Sequence, residues 1–196
     1  MPSEQPAAPA AIPAAPAGLL LFPGAGADRD HRTLVALEHA LAPLPVRRVD
    51  FPGRAAGRKA PERPPAAIAH IRAEAERFAA DLGVTADRIL LGGRSFGGRM
   101  ASMAVAEGQP AAGLVLLSYP LHPPGKPDRL RVEHLPDVHV PVLAVSGERD
   151  PFGTPAELTR RLATMAGPVT TVFVPGNHSP ADDGAVAEAV ARWLAG

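Results

Sequence analysis

Short apolar runs recur along the chain, and most neighbouring runs are separated by glycine, proline or charged residues. The first run, residues 18–22, is continuous and stops at Pro23-Gly-Ala-Gly, which is typical of a buried strand that leaves the core in a tight loop. The same pattern predicts about six strands, at residues 18–22, 46–51, 88–92, 114–117, 140–145 and 169–174.

Apolar residues at helical spacing lie between these runs. Leu34, Leu37 and Leu41 share one face of a helix for which Asp30 is the predicted N-cap. Further helices are predicted around the stripe formed by residues 68, 71, 78 and 82, and at residues 96–107, 155–164 and 184–194. Strand and helix alternate, so we expect an α/β fold: a mostly parallel sheet with helices on both faces. In such sheets ligands bind outside the carboxyl ends of the strands.

Composition and charge remove several classes of function. The chain of 196 residues has no cysteine, which excludes disulfides, thiolate metal sites and a cysteine nucleophile. Lysine plus arginine (20) equals aspartate plus glutamate (20), so no net positive charge attracts nucleic acid. No apolar run approaches the roughly 18 residues that a membrane span requires. We expect a cytoplasmic protein that needs no metal or cofactor and has no nucleic-acid or membrane partner.

Residues 1–17 differ from the rest of the chain. They read MPSEQPAAPAAIPAAPA, a proline- and alanine-rich stretch with too little apolar surface to offset the entropy of ordering. The stretch lacks the basic start and continuous apolar segment of a signal peptide. We therefore predict a disordered leader over residues 1–17 and one folded domain over residues 18–196.

A nucleophile motif follows the third predicted strand. Gly93-Arg-Ser95-Phe-Gly97 fits the pattern Gly-x-Ser-x-Gly, with a strand before it and a helix after it, as that motif requires. Small residues two positions on either side of the serine let the backbone turn sharply. The Ser95 hydroxyl would then stand at a helix N-terminus, where backbone N–H groups favour developing negative charge.

A serine nucleophile needs a base, and the base needs an orienting acid. On this architecture the chain order is serine, acid, histidine. Asp150 follows the fifth predicted strand, and His178 follows the sixth. Ser95, Asp150 and His178 thus occupy three different strand-end loops in the required order, and we predict that they form a catalytic triad.

Other residues fit the two supporting positions less well. Glu148 is an alternative acid, although it lies nearer the strand than Asp150 does. The remaining histidines stand before the serine or before the acid, against the expected order: His31, His39, His70, His122, His134 and His139.

The predicted oxyanion hole has two backbone donors. One is the N–H of Phe96, directly after the nucleophile, and the other belongs to the loop after the first strand. Pro23 has no N–H, so Ala25 is the first choice in that loop and Gly24 the second.

These motifs together resemble the α/β-hydrolase superfamily, and more narrowly its small lidless bacterial members, which are related to a region of a mammalian chromatin-complex subunit. The resemblance covers residues 18–196 and is carried by residues 23–27 with Asp30-His31, 92–100, 119–127 and 149–155. It implies Ser95 as nucleophile, Asp150 as acid, His178 as base and an oxyanion donor near Ala25. It also implies a reduced sheet without a cap domain.

The expected reaction is hydrolysis of an ester or thioester of a small acyl substrate through an acyl-enzyme. An inert α/β-hydrolase-fold interaction module is the first alternative, and an acyltransferase using the same serine is the second. Tyr119, Leu121 and His122 lie in the longest irregular stretch and are candidate substrate contacts, with plain loop packing as the equal alternative. Arg54 belongs to a basic loop, residues 47–63, for which we favour a solvated surface, with binding of an anionic substrate as the alternative.

Overall fold

The computed structural model describes residues 15–58 and 60–196. Its centre is a six-stranded sheet in which every neighbouring pair is parallel, with the strand order β2-β1-β3-β4-β5-β6. The strands are β1 (Gly18–Phe22), β2 (Val46–Arg48), β3 (Ile89–Arg94), β4 (Gly113–Leu117), β5 (Val142–Gly147) and β6 (Val169–Val174). The helices are α1 (Arg32–Ala40), α2 (Pro52–Ala55), α3 (Pro64–Asp81), α4 (Phe96–Ala106), α5 (Pro155–Leu162) and α6 (Asp183–Ala195).

Helices cover both faces of this sheet. Alternate residues of each strand point to opposite faces, so both faces have apolar side chains for the helices to bury. Leu37 of α1 and Trp193 of α6 are buried in one apolar cluster with Leu21 of β1. Ile71 of α3 and Met100 of α4 are buried in a second cluster with Leu91 of β3. The predicted α/β class is confirmed, and the described residues add no cap domain to it.

Several element ends differ from the prediction by one to three residues, and two of the local differences have a clear physical reason. β2 ends at Arg48, three residues earlier than expected, because Pro52 begins the short helix α2 with extended Phe51 as its N-cap. His31, rather than Asp30, caps α1: its Nδ1 accepts the N–H of Thr33 at 3.3 Å. The Asp30 carboxylate instead binds Arg48 at 2.7 Å.

The N-terminal end of the described chain lies against Arg88. The Ala17 N–H donates to the Arg88 carbonyl at 2.8 Å, and Arg88 Nη2 donates to the Ala15 carbonyl at 2.7 Å. Residues 1–14 of the predicted leader lie outside the described residues, so the boundary between leader and domain stays a prediction. No helix within residues 15–58 and 60–196 combines the length and apolarity needed to cross a membrane.

Candidate active site

Ser95 is the single residue between β3 and α4, and its backbone is strained. Its φ of 50° and ψ of −113° lie in a region that costs a residue other than glycine about 1–3 kcal/mol. Two backbone bonds hold this conformation. The Ser95 N–H donates to the Leu117 carbonyl at 2.8 Å, and the Ser95 carbonyl accepts the Arg99 N–H at 3.0 Å. The hydroxyl is thereby fixed at the carboxyl edge of the sheet.

Glycines on either side make this sharp turn possible. A Cβ atom on Gly93 or on Gly97 would collide with the carbonyl oxygen of Phe22 in β1. That oxygen belongs to rigid backbone in the neighbouring strand, so it cannot move aside cheaply. The spacing of small residues around Ser95 therefore follows from how closely β1 approaches the turn.

The structure brings Ser95, His178 and Asp150 together in a continuous hydrogen-bond chain. Ser95 Oγ lies 2.9 Å from His178 Nε2. His178 Nδ1 lies 2.9 Å from Asp150 Oδ1 and 2.8 Å from Oδ2. With its proton on Nδ1, the imidazole donates to the carboxylate and leaves Nε2 free to accept the hydroxyl proton. That arrangement can raise the nucleophilicity of Ser95.

Asp150 is fixed in the protein interior. Its side chain is fully buried, and Oδ1 also accepts the Phe152 N–H at 2.9 Å. The sequence alternative, Glu148, is exposed, and no hydrogen bond within the described residues joins it to His178. A buried carboxylate with defined donors is better suited to orient an imidazole than an exposed one.

Two further residues hold the imidazole in place. The ring of Phe152 stacks on that of His178, with centroids 4.0 Å apart and an interplanar angle of 28°. Arg94, directly before the nucleophile, donates from Nη2 to the His178 carbonyl at 2.7 Å and to Ser179 Oγ. Arg94, the residue before Ser95, is thus hydrogen-bonded to the loop that contains His178.

Arg94 is buried, and its charge is only partly compensated. Burial lowers the pKa of its guanidinium, and the nearby Asp150 carboxylate opposes this shift. The Nε atom of Arg94 is buried without a hydrogen-bond partner in the described structure. The sequence motif gave no sign of this role, because the tie depends on where residues 178–179 fold.

The two predicted oxyanion donors line the same cleft as Ser95. Phe96 is the first residue of α4, and its N–H has no intrahelical acceptor. Ala25 lies opposite in the loop after β1, and no backbone hydrogen bond of the described residues uses its N–H. Gly24 packs behind them: a Cβ placed on it would lie 3.5 Å from the Cβ of Ser95.

This cleft is open to solvent and has a volume of about 340 Å³. Its lining residues come from six separate segments: Ala25, Pro61, Arg94, Ser95, Phe96, Arg99, Pro120, Arg131, Phe152 and His178. No aspartate or glutamate is among them. Within residues 15–58 and 60–196, no group of three or more histidine, aspartate or glutamate side chains is arranged to hold a metal ion.

Three of the predicted substrate contacts lie inside the protein. Tyr119 and Leu121 are fully buried in an apolar cluster, and His122 is 5% exposed. Their expected position at the mouth is wrong for the side chains, because the stretch after β4 folds inward. Only Pro120 between them lines the cleft.

The fourth predicted contact, Arg54, lies beside a neighbouring cavity instead. It lines that cavity together with Phe96 and Ala25. Its guanidinium pairs with Asp28 at 3.4 Å. A contact between Arg54 and the substrate therefore stays a prediction.

A second serine–histidine contact lies on the buried face of α4. Ser102 Oγ is 2.8 Å from His134 Nε2 and 3.4 Å from the Tyr119 hydroxyl, and it donates to the Arg99 carbonyl at 2.8 Å. Ser102 is fully buried, and no carboxylate of the described chain lies within ion-pairing distance of His134. This group satisfies buried polar atoms and lacks both the access and the acid that a triad requires.

His134 is expected to make the protein less stable in acid. Burial, then the charge of Arg99, lowers the pKa of His134 from 6.5 to about 4. Between these values the unfolded chain binds a proton that the folded chain does not, so the free energy of unfolding falls as the pH falls. We expect a loss of about 1–2 kcal/mol after allowance for the ring's partial exposure.

Urea unfolding of the wild type and of His134→Gln, between about pH 4 and pH 7, measures this contribution. The variant should lose less stability than the wild type over that range. Parallel pH curves for the two proteins would contradict the assignment.

Comparison with known proteins bears on the fold and the family. Residues 15–185 match the sequence model of an alpha/beta hydrolase domain. Est1E from Butyrivibrio proteoclasticus, solved with ferulic acid, is 18% identical with a TM-score of 0.70, over 93% of this chain and 90% of that chain. Dienelactone hydrolase from Anabaena variabilis is 19% identical with a TM-score of 0.68, over 94% and 88%. The type II thioesterase BorB from the borrelidin biosynthetic cluster is 20% identical with a TM-score of 0.62, over 95% of each.

At these identities the structural likeness shows a shared fold. The relation to a chromatin-complex subunit stays a prediction. The family is shown by the sequence match, which spans most of the chain and includes all three residues of the hydrogen-bond chain. The protein belongs to the alpha/beta hydrolase family.

Proposed function

We propose that this protein is a serine hydrolase that cleaves an ester or thioester of a small acyl group. The observation that carries the proposal is the continuous hydrogen-bond chain from Ser95 through His178 to the buried carboxylate of Asp150. The names dienelactone hydrolase and type II thioesterase among proteins of the same fold support this substrate class.

In the first half-reaction Ser95 Oγ attacks the acyl carbonyl carbon while its proton passes to His178 Nε2. The carbonyl electrons move onto oxygen, and the N–H groups of Phe96 and Ala25 stabilise that negative charge. When the carbonyl re-forms, the bond to the leaving oxygen or sulfur breaks. His178 then gives its proton to the leaving group, and the acyl group remains on Ser95.

In the second half-reaction water attacks the acyl-enzyme and gives a proton to His178 Nε2. Collapse of the second tetrahedral intermediate breaks the bond between the acyl carbon and Ser95 Oγ, and the proton returns to that oxygen. Asp150 stays ionised and holds the imidazole through Nδ1 in both steps. No further co-reactant is required for this balance.

Labelling with a fluorophosphonate probe tests the proposal before any substrate is known. Such probes react with an activated serine hydroxyl, so we expect one adduct on the intact wild-type protein, located by peptide mapping to Ser95. Absence of labelling in well-folded protein, or an adduct on Ser102, would contradict the proposal.

A further inference from the structure

Two arginines besides Arg94 line the cleft that contains Ser95 and His178. Arg99 lies on α4 four residues, about one helical turn, after Ser95, which is about 6 Å along the helix axis. Arg131 lies in the stretch after β4, where its backbone N–H donates to the Leu121 carbonyl at 2.8 Å. Two positive side chains from different segments therefore converge beside the proposed nucleophile.

Neither of these arginines takes part in an ion pair with any aspartate or glutamate of the described chain. The basic loop that the sequence singled out behaves differently. Arg54 pairs with Asp28, and Arg58 pairs with Glu62 at 3.3 Å. Besides Arg94, whose charge the nearby Asp150 partly compensates, the uncompensated charges that line the cleft are thus those of Arg99 and Arg131.

The surroundings of these two arginines favour an added acceptor. The Nε atom of Arg99 is buried without a hydrogen-bond partner among the described residues, and a buried donor in that state is costly. Burial, then the positive charge of Arg99, lowers the pKa of Arg131. An anion placed between the two guanidinium groups would relieve their repulsion and accept hydrogen bonds from their terminal nitrogens.

We propose that Arg99 and Arg131 bind an anionic group, a carboxylate or a phosphate, on the substrate of this hydrolase. The inference rests on the proposed function and adds the class of substrate to it. A guanidinium presents a planar set of donors that matches both oxyanions. The short distance along α4 places this anion close to the acyl carbonyl that Ser95 would attack.

The anion can belong to the acyl group or to the leaving group, and two matched pairs of substrates separate these sources. p-Nitrophenyl hemiglutarate against p-nitrophenyl butyrate tests a carboxylate on the acyl chain. Butyryl-coenzyme A against the butyryl thioester of N-acetylcysteamine tests phosphate on the leaving group. We expect kcat/KM to favour the anionic member of at least one pair by about 10-fold or more.

Arg99→Gln and Arg131→Gln remove one charge each and should lower that anionic-to-neutral ratio by about 10-fold. Because the ratio compares two substrates on one protein, partial misfolding does not change it. Arg129→Gln is the matched control: Arg129 is exposed, carries the same charge and lies two residues from Arg131. Ratios near one in the wild type, or an equal fall in Arg129→Gln, would overturn the inference.

A binding measurement keeps this inference separate from the proposed function. Calorimetric titration of the wild type with glutarate, which has no ester bond to cleave, detects the anion site without turnover. Saturable binding that is lost in Arg99→Gln supports the site even if no ester is hydrolysed. Hydrolysis of neutral esters without anionic preference or glutarate binding would remove the anion site and leave the hydrolase proposal standing.

Discussion

Replacing Ser95 with alanine is expected to lower kcat for a p-nitrophenyl ester by about 10⁴- to 10⁶-fold, with the fold retained. The substitution removes only the hydroxyl group, whose oxygen, Ser95 Oγ, lies 2.9 Å from His178 Nε2. Stability should change little, because the strain at this residue comes from its backbone angles. Steady-state kinetics and a thermal melt of the same sample check both expectations.

Ser102→Ala is the matched control for this prediction. It removes the same kind of hydroxyl from the other serine that contacts a histidine, one that is fully buried on the inner face of α4. We expect this variant to lose about 1 kcal/mol of stability through the broken hydrogen bonds while kcat stays near that of the wild type. A loss of activity confined to Ser102→Ala would move the nucleophile to that position.

The sheet and the placement of the candidate triad could be predicted from the sequence for a physical reason. Parallel strands end at one edge, so residues that directly follow different strands must lie near one another. Ser95 follows β3, Asp150 follows β5, and His178 follows β6. Their proximity was therefore predictable from strand positions, without knowledge of any side-chain contact.

The walls of the cleft were not predictable in this way. The stretch after β4 has no periodic pattern, and whether Tyr119 points outward or inward depends on packing against residues distant in sequence. Its hydroxyl lies 3.2 Å from His134 Nε2, inside the protein, where burial raises the pKa of Tyr119 to about 12. Composition pointed to Arg54, which pairs with Asp28, and gave no sign of Arg99 and Arg131, which line the cleft without an ion pair among the described residues.

Asp150→Asn is expected to have the second large effect, a fall in kcat of about 10⁴-fold at neutral pH. The asparagine keeps the shape of the buried side chain, and its Oδ1 can still accept the Phe152 N–H. Its amide nitrogen then faces His178 Nδ1 and donates to it. The imidazole proton is thereby moved to Nε2, where it blocks acceptance of the Ser95 proton. KM should change far less than kcat, since the substrate does not contact this residue.

Glu148→Gln is the control for Asp150→Asn. It makes the same chemical change two residues away, on an exposed side chain that the sequence left open as the alternative acid. We expect kcat to stay close to that of the wild type, because Glu148 has no hydrogen bond to His178 within the described structure. If Glu148→Gln abolished turnover while Asp150→Asn preserved it, the orienting acid would be Glu148. The loop after β5 would then have to rearrange before catalysis, because both carboxylate oxygens of the buried Asp150 lie within hydrogen-bond distance of His178 Nδ1 in this structure.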